Sequence, residues 1–157
     1  MAARTLTYTI NMAAAPKALH AGESVIAWDF NSGTTKFGTL SDVLLLGKIP
    51  SGALITTQNL RFGAAPQTAG GAHYALELLA VEASGTYSLW ATLIASMTNT
   101  STAASTFQSF IPKKVSLSDD RAVQYVVLAL NCTTGATETV SVSIQGCLKY
   151  LTDGSNV

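Results

Sequence analysis

Charge is what this sequence has least of. Only 11% of its 157 residues are Asp, Glu, Lys or Arg, and nine basic residues balance nine acidic ones. A neutral chain has no long-range field to draw it to nucleic acid or anionic lipid. The basic residues do not cluster beyond the pair Lys113–Lys114, which is no nucleic-acid footprint. No stretch approaches the roughly 18 apolar residues of a membrane-spanning helix. The opening MAARTLTYTINMAAAPKALH has no compact apolar segment ahead of its small residues, so no secretory leader is expected. The expected partners therefore include neither nucleic acid nor membrane.

Groups that carry chemistry are also scarce. The two histidines, His20 and His73, lie far apart without metal-ligand spacing. The two cysteines, Cys132 and Cys147, have no His or acidic neighbours to complete a metal site and read as buried free thiols, which fits an intracellular origin. They would face each other only if their segments formed a hairpin. Serines abound, but no G-x-S-x-G elbow is present. Asp119 and Asp120 offer two adjacent carboxylates where calcium takes six to eight oxygens, so an Asx-type turn is the reading there. Asn99-Thr100-Ser101 fits the glycosylation pattern but reads as loop chemistry without a leader. Trp28 and Trp90 would suit a sugar-stacking platform if exposed; both sit inside apolar runs, which favours core packing. The expectation is no catalytic, cofactor-binding or metal-binding residue, and no enzyme.

What the chain does have is apolar and neutral surface. Hydrophobic residues make up 48%, and the mean hydropathy is +0.31. With few charges to keep copies apart, the chain is expected to bury part of that surface between subunits.

The apolar residues come in short pieces with strand periodicity. Arg4 to Met12 alternates cleanly, with Leu6, Tyr8, Ile10 and Met12 on one face. A connector containing Pro16 and Gly22 follows. Residues 1–22 are therefore read as an N-terminal strand or arm and residues 23–157 as a single β domain. Ser24–Phe30 is a second strand. Val43–Ile49 and Ala53–Phe62 flank Pro50-Ser51-Gly52 and read as a β-hairpin. Ala72–Val81 has helix-forming residues but strand-like neighbours, and is taken as a strand. Tyr87–Met97 fits both helix and strand spacing, and periodicity does not arbitrate. Ala122–Asn131 is the most β-prone run. With Thr137–Tyr150 it reads as a second hairpin, in which Gly146 would mark a bulge. About eight short strands with turn signals between them argue an antiparallel β-sandwich or barrel.

Three stretches together resemble a known family. They are Asp42–Thr56 (DVLLLGKIPSGALIT), Val123–Asn131 with Gly135 beyond it, and Val142–Gly154 (VSIQGCLKYLTDG). Their turn chemistry and apolar pattern resemble small virion proteins of tailed bacteriophages, especially capsid decoration (cement) proteins with a jelly-roll fold. The resemblance implies a jelly-roll-like sandwich that binds the major capsid protein on the virion surface as a homo-oligomer, most readily a trimer. It implies no cofactor, and assembly in the host bacterial cytoplasm. The alternatives are a tail, fibre or head-vertex component on the same fold, and a carbohydrate-binding β-sandwich module. The segment from Met1 to about Gly22 is the candidate for shell contact or subunit exchange.

Overall fold

The most β-prone run of the sequence lies at the centre of the larger-cored sheet. In a computed structural model of the chain, Val123–Thr134 pairs antiparallel on one side with Val43–Ile49 and on the other with His73–Glu82. The structure describes residues 5–7, 22–31, 37, 39–50, 52–62, 72–98, 105–109, 112–115, 123–134 and 143–152. These hold ten strands and no helix: β1 (Thr5–Thr7), β2 (Gly22–Asn31), β3 (Val43–Ile49), β4 (Leu54–Phe62), β5 (His73–Glu82), β6 (Tyr87–Thr98), β7 (Ser105–Ser109), β8 (Lys113–Lys114), β9 (Val123–Thr134) and β10 (Ser143–Thr152). One sheet, here sheet A, runs β1-β3-β9-β5-β6; sheet B runs β2-β10-β4-β7, with β8 also paired to β4. Without the very short β1 and β8, each sheet has four main strands. The all-β sandwich expected from the sequence is the fold. Pairing is antiparallel except at the edge of sheet A, where β1 runs parallel to β3.

The connectivity is that of a jelly roll. Chain neighbours β2 and β3, β3 and β4, β4 and β5, β6 and β7, and β9 and β10 lie in opposite sheets; β5 and β6 pair as a hairpin in sheet A. Two sequence-based expectations are corrected here. β3 and β4 are not a hairpin, and neither are β9 and β10. Pro50 to Ala53 is a corner between sheets: Ala53 N–H donates to Pro50 C=O at 3.3 Å, while Gly52 N–H donates to Val115 C=O and Val115 N–H to Ala53 C=O. Gly52 takes φ +82°, a conformation that glycine adopts without steric cost. Local turn chemistry is the same whether a chain reverses within a sheet or steps to the facing one.

Tyr87–Met97, left open between helix and strand, is strand β6, and Ala72–Val81 is strand β5. Packing decides both. Leu76 and Leu78 of β5 enter the core between the sheets with Leu44 and Leu46 of β3 and with Val126, Leu128 and Leu130 of β9. From sheet B, Ile26, Trp28, Ile55, Leu60, Ile144 and Leu148 face them. Each such side chain stabilises the fold by about 1.5–3 kcal/mol relative to exposure.

Two local features of sheet B depart from strict alternation. Ile55 and Leu60 are both in the core although five residues apart, which requires an extra residue between them. The pairing supplies it: Lys149 pairs with Thr57 and Tyr150 with Ile55, so Thr56 is bulged, and its hydroxyl donates to Lys149 C=O at 3.4 Å. The slip turns Gln58 inward, where it is fully buried. The bulge is thus at Lys149/Tyr150 and not at Gly146. Gly146 answers a different need. It pairs with Trp28 on one side and Leu60 on the other, and the indole lies over it. A Cβ there would meet Asn59 O and come within 2.6 Å of the Trp28 ring.

Candidate functional site

Among the described residues, the groups that could have carried chemistry are dispersed or structural. His73 Nδ1 lies 3.2 Å from the Thr98 hydroxyl, across the β5–β6 pair. Among the described residues no three His, Cys, Asp or Glu side chains are placed to hold a metal ion. His20, Asp119, Asp120 and the Asn99-Thr100-Ser101 motif lie outside the described residues. Cys132 and Cys147 are both free. They stand in opposite sheets, so the hairpin that would have faced them does not exist. Trp28 is buried at 3% exposure, and Trp90 packs partly against the core with Lys113 Nζ 5.7 Å from its ring centre. This is not an exposed stacking platform. Lys113 and Lys114 are exposed, as a solvated charged spot should be.

One end of the sandwich is closed by a polar clasp. The Tyr74 hydroxyl donates to Phe37 C=O at 2.8 Å, and the two rings stack with centroids 5.6 Å apart. Asp42 Oδ2 accepts the Thr39 N–H at 2.9 Å, and Asp42 N–H donates back to Thr39 C=O. Ser41, at φ +66°, donates its N–H to Cys132 C=O, while Cys132 N–H donates to Asp42 C=O. The loop before β3 is thereby tied to the end of β9. Burial raises the Tyr74 hydroxyl far above the ordinary tyrosine range and pushes the Cys132 thiol up to about 11, helped in both cases by the Asp42 carboxylate. Neither group ionises near neutral pH. The clasp is built to hold, not to react.

The surfaces are more informative. Across the outer face of sheet A, strand pairing aligns Tyr87, Val81 and Tyr125 in one row and Leu89, Leu79 and Val127 in the next. Leu45, Leu79, Val81, Val127 and Ala129 form a second apolar cluster, separate from the core between the sheets, at 0–7% exposure. Lys48 Nζ lies 4.4 Å from the Tyr125 ring centre beside it, its alkyl stem suited to apolar ground. Glu77 sits in this face at 7% exposure and accepts a hydrogen bond from Asn131 Nδ2 at 3.1 Å. Burial raises its pKa, and the Asn131 hydrogen bond opposes the rise. At the β6 edge the cover stops: Tyr87 is 41% and Leu89 60% exposed. The outer face of sheet B is open and mixed, with Val25 and Leu151 exposed among polar residues. Asp29, Gln145 and Arg61 align across it, with Gln145 Nε2 donating to Asp29 Oδ1 at 3.3 Å.

Among the described residues, the candidates named from the sequence are not brought together into one site. No family model and no curated protein matches the sequence. Solved structures do match the fold. A chain from the capsid of Ralstonia phage GP4 superposes with a TM-score of 0.59 at 10% identity, over 94% of this chain and 97% of that one. A chain from the capsid asymmetric unit of cyanophage Pam1 matches with a TM-score of 0.53 at 14% identity, over 90% and 92%. A chain from infectious bursal disease virus, Gt strain, matches with a TM-score of 0.57 at 14% identity; 87% of this chain is covered, but it spans only 33% of that one. These neighbours come from virus and phage capsid structures, and what this chain shares with them is the jelly-roll fold.

Proposed function

We propose that this chain is a structural virion protein of a tailed bacteriophage, a decoration or cement protein that binds the capsid surface as an oligomer and stabilises the shell. The observation that carries the reading is the end-to-end match with phage capsid chains: 94% of this chain on 97% of the Ralstonia phage GP4 chain. Such mutual coverage makes the two chains nearly equal in length. Most of this sequence therefore corresponds to one small unit within a phage capsid, as a protein added to a shell would.

The physical character fits. The chain is neutral and charge-poor, and among the described residues Tyr74, Asp42, Cys132 and His73 are held in structural contacts. Binding of this kind sums many modest contacts through copy number. The partner is the major capsid protein, the oligomer is a trimer, and residues 1–22 supply shell contact; the part of that segment beyond Thr5–Thr7 and Gly22 lies outside the described residues. The site of action is the capsid surface, after assembly in the host cytoplasm.

Co-sedimentation with phage heads assembled without this chain tests the reading. The protein should pellet with the heads and raise the temperature at which they release DNA. Binding should weaken little between 50 and 500 mM salt, at about the Debye lengths where exposed ion pairs are screened away. Failure to pellet, or a steep loss in moderate salt, would overturn it.

A further inference from the structure

We infer that the turn-proximal half of β6, centred on Tyr87 and Leu89, is where a second copy of this chain docks. The four sheet edges differ in how they are protected. β1 is three residues long and β7 five. β2 has ten but carries Glu23 and Asp29. β6 has twelve, YSLWATLIASMT, and not one is charged. Natural edge strands are blunted by shortness, charge, proline or bulges, and a long uncharged apolar edge invites another chain.

β6 is not uniform along its length. From Tyr87 to Leu89 it pairs in register with Val81, Ala80 and Leu79. Beyond Leu89 the pairing slips between Leu78 and Leu79, again between Leu76 and Glu77, and again between Tyr74 and Leu76. Ser96 there takes φ +57°. The slipped half is bulged and twisted, a form that resists further pairing. The regular half is the half that exposes Tyr87 and Leu89, and it continues the covered rows of the outer face through Val81 and Leu79 to Tyr125 and Val127. An apolar strip with an aromatic anchor at its open end is the composition of an interface centre.

The occupant follows from charge. The β6 edge itself carries no charge. The charged groups on the face behind it, Lys48 (over Tyr125) and Glu77, are one cation and one anion, so the edge favours neither an acidic nor a basic partner and is matched by another neutral, apolar edge. This chain carries one, and its net charge of zero lets copies approach without repulsion. The inference rests on the homo-oligomer half of the proposed function and needs no capsid.

The test uses the purified full chain and light scattering. The wild type should have a mass that is a multiple of 16.3 kDa. Leu89→Lys and Tyr87→Lys should dissociate it, or raise the concentration needed for association by about tenfold or more. Leu89→Met should restore the wild-type mass. Val25→Lys, at an exposed position on the β2 edge, should leave the mass unchanged. Circular dichroism and thermal melting show that each variant is folded. A monomeric wild type, an oligomer that survives both lysine substitutions, or one broken by Val25→Lys alone would overturn the inference. Head binding by a folded monomeric variant would leave the decoration reading standing and limit oligomerisation to a separate role.

Discussion

Val127 and Val25 are the same residue on the outer faces of the two sheets, and they live in different solvents. Val127, in sheet A, has 0% of its surface exposed; Val25, in sheet B, has 53%. Around Val127 lie Leu45, Leu79, Val81 and Ala129. Lys149, Thr57 and Ala27 belong to the strands around Val25, all half-buried or exposed. A sandwich needs only its inner faces to be apolar. Sheet A is apolar on both, so its central strands behave like those of a three-layered protein, while sheet B keeps the one-sided pattern of an ordinary antiparallel sheet.

That contrast predicts unequal responses to the same change. Val127→Asp places a carboxylate in a sealed apolar face and should cost about 4 kcal/mol or more, a large part of a domain's total stability. Val25→Asp should stay within about 1 kcal/mol. Equal losses in urea titration would erase the distinction between the faces. Next in size is Gly146→Ala, which forces the Trp28 indole or the Asn59 carbonyl to move. We expect about 1–3 kcal/mol, with a changed tryptophan emission as the specific sign.

Glu77 sharpens the contrast through pH. Burial raises its pKa in the folded chain above its ordinary value of 4.5. The folded state then holds the proton to higher pH than the unfolded state does. Stability from this group is full below pH 4.5 and is lost as pH rises through the raised folded value. Glu77→Gln should flatten that fall in melting temperature and raise stability at neutral pH; an unchanged slope would mean the carboxyl is solvated. The smallest effect concerns the thiols. Cys147, half-buried in sheet B, should react with a thiol reagent in the folded protein. Cys132, sealed in sheet A and pushed up to about 11, should react only on unfolding. Mass spectrometry after brief labelling reads both, and Cys147→Ser should abolish the fast phase.

The strands and the sandwich were legible in the sequence because turn signals and β-prone runs are local. The topology was not. Burial is nearly unbroken along VLLLGKI of β3 and interrupted along LITTQNLRF of β4, but it differs as much between β5 and β6, which do pair as a hairpin. The local chemistry around Pro50 is therefore the same for a reversal within a sheet and a step to the facing one. The role of Gly146 was out of reach, since the indole above it is that of Trp28 and arrives from β2, at the far end of the chain. The covered outer face was visible only as excess hydropathy, which composition reports without location.

The exchange of sheets at nearly every connection also orders events in time. β5 and β6 can join as soon as both exist, being consecutive and linked by the short turn around Gly85. β2 must wait for β10, whose Gln145 meets Asp29 from 116 positions away. Chains dominated by such distant pairings fold on the order of milliseconds to seconds. Until β10 exists, the strand that bears Trp28 lacks its partner in sheet B, so its apolar face waits for nearly the whole chain to be made.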